Sequence, residues 1–137
     1  NSIGDFTHFQ LLFDEDNCIC GLLDFDSSRK MPAVYELFRS YIFSTMRYDQ
    51  ESGFFFFGEL ASYLNHYLVY NSLSNYDLKY FFYPFYIEML KSTFGFEQYA
   101  INHKNRDALL IGISIFNKCN FLYDRIDELC YKLSKEF

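Results

Sequence analysis

Apolar residues fall in two short runs early in the chain and at helical spacing over the rest. Leu11-Leu12-Phe13 and Cys18-Ile19-Cys20-Gly21-Leu22-Leu23 flank Asp14-Glu15-Asp16-Asn17, which has no apolar side chain to bury. This pattern predicts two short antiparallel strands joined by four residues. From Pro32 the period changes. Proline suits a first helical turn, where its missing N–H needs no acceptor, and Val34, Leu37 or Phe38, Tyr41 and Thr45 predict a helix from Ala33 to about Met46. Tyr48 to Gly53 read as a linker, and Phe54 to Phe57 as aromatic chain entering a core or an interlobe surface.

A second helix is expected over Gly58 to Tyr70 and a third from about Asn75 to Thr93. Ser74 and Asp77 form a capping box for the third, and Pro84 should kink it, divide it or move its boundary. Gly95 is expected to end it, with Glu97-Gln98-Tyr99 opening a connection. Two more helices follow, from about Arg106 to Asn117 and from Cys119 to Lys135. The fold class is therefore α+β and mostly helical, a short β-hairpin followed by a helical subdomain.

Composition narrows the picture. At 137 residues the chain can bury one core, and with 50% apolar and 23% aromatic residues it is far from a disordered sequence. The formal charge is −6 with no sustained basic stripe, so neither nucleic acid nor an anionic membrane is an expected partner. No uninterrupted apolar stretch reaches the length of a membrane helix. Cys119 and Cys130 lack short ligand spacing, so buried reduced thiols are preferred over a zinc site for the four cysteines. A cytoplasmic setting fits that reading.

The chemistry lies in the acids around the predicted hairpin. Asp5 precedes the first apolar run, and Asp24 and Asp26 close the second. Pairing the strands would bring them to one rim, where their repulsion must be offset by a cation or by hydrogen-bond donors. A divalent metal site is the functional expectation, and solvated loop acids are the alternative. Asp26 could support the ion indirectly or cap Ser27-Ser28. Asp14 and Asp16 are followed by Cys18-Ile19-Cys20, which breaks a calcium-loop pattern, so they are assigned to solvating the turn. His8 reads as a loop or packing histidine, because no matching histidine cluster exists.

Ile3-Gly4-Asp5-Phe6-Thr7-His8-Phe9-Gln10, Leu23-Asp24-Phe25-Asp26 and Pro32-Ala33-Val34-Tyr35-Glu36-Leu37 occur in that order. Together they resemble the C-terminal lobe of the aminoglycoside phosphotransferase and choline kinase superfamily, including homoserine-kinase-like proteins. There the pattern is H-G-D-x-H-x-x-N, a hairpin, D-F-D or D-W-E, then P-x-x-Y-D/E-L. The resemblance implies a protein-kinase-like C-terminal lobe. It makes Asp5 the catalytic aspartate, Gln10 and Asp24 the magnesium and nucleotide-phosphate ligands, and Glu36 the structural acid of the helix start. Ile3 replaces the first histidine, Thr7 the second, and Gln10 the asparagine. Gln10 keeps the amide but moves it one methylene outward.

The implied activity is ATP-dependent phosphoryl transfer to a small hydroxyl-bearing substrate, with Mg²⁺ as cofactor. Such an enzyme needs an N-terminal lobe with a phosphate-covering loop and a lysine, and no G-x-G-x-x-G or Walker A segment occurs here. Residues 1–137 are thus expected to be the C-terminal lobe of a longer two-lobed protein, not binding ATP alone. The alternatives are a catalytically weakened kinase-like binding module and a helical interaction protein.

Overall fold

Asp14 builds the hairpin turn instead of merely solvating it. In the computed structural model, which describes residues 3, 6, 8–44 and 57–137, its carboxylate accepts from the Asp16 N–H at 3.0 Å and the Cys18 N–H at 2.8 Å. The Asn17 N–H closes the turn on the Asp14 carbonyl at 3.1 Å, with Asn17 itself in the left-handed region at φ 60°. Asparagine tolerates that region better than most side chains. The turn joins β1 (Leu11–Phe13) to β2 (Ile19–Leu22) as an antiparallel pair, Leu11 opposite Leu22, with an irregularity between Leu12 and Phe13. A 3-10 turn, His8–Gln10, leads into β1.

The rest is helical: α1 (Ala33–Ser44), α2 (Phe57–Leu68), α3 (Asn75–Lys79), α4 (Tyr83–Lys91), α5 (Phe94–Ile101) and α6 (Arg106–Glu136). The core centres on Phe38 of α1, fully buried, whose ring meets Phe82 and Phe85 edge-on at 4.9 and 5.0 Å. Edge-to-face pairs at such separations add about 0.5–1.5 kcal/mol beyond the area they bury. Leu60 and Leu64 of α2 and Leu122, Ile126 and Leu133 of α6 complete the cluster. Ser40, buried in α1, is satisfied by the Leu37 carbonyl and by the Tyr63 hydroxyl of α2 at 2.7 Å.

Pro84 divides the expected third helix. The Ser74–Asp77 capping box starts α3, and α4 restarts with Pro84 in its first turn. Three boundaries differ from the sequence expectation. Residues 97–99 lie inside α5, and Gly95 sits near its start instead of ending α4. A Cβ on Gly95 would come within 2.4 Å of the Gly112 nitrogen and 2.5 Å of the Ala108 carbonyl, so glycine is required where α5 lies against the α6 backbone. The two expected last helices are one, because Lys118 is buried inside α6 instead of interrupting it. Thr45 and Met46, the Tyr48–Gly53 linker and Phe54–Phe56 lie outside the described residues.

Cys119 and Cys130 are buried, as expected, and burial pushes both thiols up from their ordinary value. Cys18 and Cys20 are not; they are exposed, because neither hairpin strand has a fully buried face. Among the described residues no helix is long and apolar enough to cross a membrane.

The Tyr83 hydroxyl donates to Asp127 at 2.5 Å, tying α4 to α6, and this bond leads the causes that push the phenol up to about 12. A phenol that holds its proton more tightly when folded stabilises the fold below its unfolded value of 10, and that contribution is lost as pH rises toward 12. Asp127→Ala is expected to return one tyrosine to titration near 10 in ultraviolet difference spectra; an unchanged titration would contradict the assignment.

Candidate functional site at the base of the hairpin

The loop ahead of β1 is held by the first turns of α1. The Phe6 N–H donates to the Glu36 carboxylate at 2.9 Å, and Arg39 donates to the Phe6 carbonyl at 2.8 Å. One peptide residue is thus gripped at both its donor and its acceptor by side chains three residues apart on one helix face. Hydrogen bonds to charged groups are worth about 1.5–3 kcal/mol each, roughly twice a neutral pair. Glu36 and Arg39 stand three residues apart in the sequence, a spacing that places them on one helix face. What that spacing could not reveal is their shared target, 30 and 33 positions upstream.

The other half of the site is the exit from β2. The Leu23 N–H donates to the Gln10 carbonyl at 2.8 Å, extending the ladder one step past the strand. Beyond it Asp24 takes φ 62°. A non-glycine residue there carries a steric cost of roughly 1–2 kcal/mol, smaller for aspartate, whose short polar side chain adapts locally. The turn brings the exposed Asp24 carboxylate to the Gln10 amide, whose Nε2 donates at 3.5 Å, the outer edge of hydrogen bonding. Gln10 is buried, with 8% of its surface exposed, so its position is fixed by packing.

Two of the three expected site residues therefore meet. Asp5 lies outside the described residues, next to the gripped Phe6. Asp26 is exposed in the turn after Asp24. Glu88 of α4 pairs with Arg29 at 2.8 Å and anchors the segment between hairpin and α1.

The donor set can be tested against a hard cation. Magnesium takes oxygen ligands, often one or two carboxylates together with substrate phosphates. Asp24 supplies the carboxylate, and the Gln10 amide supplies an oxygen if it turns end for end about its terminal bond. The residues fit such an ion. Among the described residues no group of three His, Cys, Asp or Glu side chains converges as metal ligands, so a zinc-type centre is not formed there. Comparison with protein-family models, with curated proteins and with solved structures finds no match for this chain.

If Asp24 is kept for its carboxylate and not for the fold, Asp24→Gly should relieve the left-handed backbone and stabilise the chain by about 1 kcal/mol in urea unfolding. A clear loss of stability would instead make Asp24 a structural acid.

Proposed function

We propose that the chain is the C-terminal, acceptor-binding and catalytic lobe of an ATP-dependent small-molecule O-phosphotransferase of the aminoglycoside phosphotransferase and choline kinase type. The observation that carries this reading is the meeting of Gln10 with Asp24 at the hairpin base, beside a loop gripped by α1. In this reading Asp5 orients an acceptor hydroxyl or takes its proton as the oxygen attacks the terminal phosphate. Asp24 and Gln10 would hold Mg²⁺, which when bound neutralises charge on the phosphates. Glu36 and Arg39 are positioning residues: they fix the peptide next to Asp5 without touching the reacting atoms.

The hairpin supports a second lobe as partner. Phe9, Phe13, Ile19 and Phe25 are each more than half exposed on the described chain. Apolar groups gathered in that way mark a surface that a partner covers. An N-terminal lobe carrying the phosphate-covering loop and its lysine would cover it and complete the nucleotide site. A cytoplasmic setting belongs to the same reading.

Two observations favour a second reading, a kinase-like module with weakened catalysis. Ile3 stands in place of a histidine, and the Gln10 amide presents its N–H to Asp24, which makes it a donor to the carboxylate instead of a fellow ligand.

Kinase assays on the two-lobed parent, with Mg²⁺·ATP and a panel of small alcohols, separate the readings. Asp5→Asn and Asp24→Asn are each expected to lower kcat by about 100-fold or more, the range lost with a general base or a phosphate-bound ion. Activity retained in both would sink the assignment. Tight Mg²⁺·ATP binding without transfer to any acceptor would support the weakened module.

A further inference from the structure

α1, α4 and the first half of α6 leave a cavity of about 630 Å³ between them, its walls carrying Ile42, Phe85, Met89, Leu110, Ile111 and Ile115. Small-molecule sites occupy roughly 300–1,000 Å³. A helix with its side chains is about 10 Å across, so about five residues of one would exhaust the same space. The volume therefore suits a compact ligand better than a partner helix. Water there meets mostly apolar walls and few hydrogen-bonding partners, and apolar groups that displace such water gain by it.

The charged residues among the described lining are Glu88, Arg39 and Lys118, and each is engaged by the protein itself. The Glu88 carboxylate is held by Lys91 at 2.7 Å and by Arg29 at 2.8 Å, which draw its carboxyl below the ordinary value. Arg39 donates to the Phe6 carbonyl at 2.8 Å and lies over the Phe43 ring at 4.4 Å. Lys118, buried within α6, donates to the Ser114 hydroxyl. An ionic group entering the cavity would give up water and compete with bonds already made, a cost that a neutral ligand does not carry. Ser92 and Asn117 add neutral polar groups to the wall, a place for one hydrogen-bonding group on an otherwise apolar ligand.

We propose that this cavity binds a neutral, compact and predominantly apolar molecule, aromatic or polycyclic in shape and carrying at most one hydrogen-bonding group. The volume and the apolar walls select its body. The engaged charges select against an ionic ligand of either sign. The inference does not rest on the phosphotransferase reading, since neither Gln10 nor Asp24 is among the described lining residues.

Fluorescence titration with N-phenylnaphthylamine, a neutral probe that emits in apolar surroundings, and with its sulfonated analogue anilinonaphthalene sulfonate tests it. The neutral probe should bind one to one and about tenfold or more tightly than the sulfonate, whose charge must be desolvated. Ile111→Trp and, separately, Leu110→Trp fill the cavity from exposed lining positions. Each should weaken the neutral probe by about tenfold or more while the circular dichroism of the chain is unchanged. Phe13→Ser, on the exposed hairpin and not among the lining residues, should leave probe binding as it is. Equal or tighter binding of the sulfonate, no binding of the neutral probe, or binding lost in Phe13→Ser but kept in both tryptophan variants would overturn the proposal. So would a dimer in sedimentation that Ile111→Trp dissolves, because a second copy would then fill the cavity. Unaltered probe binding in Asp24→Asn would show that the cavity acts independently of the hairpin base, so either idea can fail without the other.

Discussion

The grip of α1 on the Phe6 peptide is the constraint on which the candidate site depends. It ties the loop ahead of β1 to the helical body through two hydrogen bonds to charged side chains, next to a hairpin whose strands bury little. Glu36 and Arg39 can serve as fixed points only because their own helix is immobilised from its other face. There Phe38 and Tyr41 sit in the aromatic core, locked by the rings of α4 and by Tyr63 of α2. The chain of cause runs from an aromatic stripe, through a rigid helix, to two charged side chains that hold a loop.

The hairpin works differently. It is a local structure, set by the Asp14 carboxylate and by Asn17 in the left-handed region, and it delivers its chemistry at the open end. There the strand exit at Leu23 is bonded back to Gln10, and the chain turns sharply through Asp24. A strained, exposed aspartate facing a buried amide is a poor choice for stability alone. That contrast is why the hairpin base, and not the acidic turn at the other end, is the better candidate for chemistry. In that turn the Asp14 carboxylate is accounted for by the Asp16 and Cys18 N–H groups it accepts from.

What the sequence made legible was mostly local. Two apolar runs around Asp14–Asn17, the Ser74–Asp77 box and the break at Pro84 all express interactions within a few residues, and each appears where the pattern put it. What escaped was set by distant partners. Gly95 looked like a helix terminator but is required by the backbone of α6 passing against it, seventeen residues later. Lys118 fell between the two helices expected from spacing, yet it lies buried within one, beside a cavity formed with α1 and α4. Glu36 and Arg39 lie three apart in the sequence, but nothing local marks Phe6 as their common partner. Of the site itself, strand pairing was expected to gather Asp5, Asp24 and Asp26 at one rim; the structure brings Asp24 to Gln10, which only the family resemblance singled out, and Asp5 lies outside the described residues.

Amide hydrogen exchange at Phe6 bears most directly on the claim that α1 fixes this loop. In the native chain the Phe6 amide should be protected. In Glu36→Ala it should exchange at least tenfold faster, the equivalent of about 1.4 kcal/mol, while the amides of α1 itself keep their protection. A Phe6 amide that exchanges freely in the native chain, or that is unaffected by loss of the Glu36 carboxylate, would contradict the account.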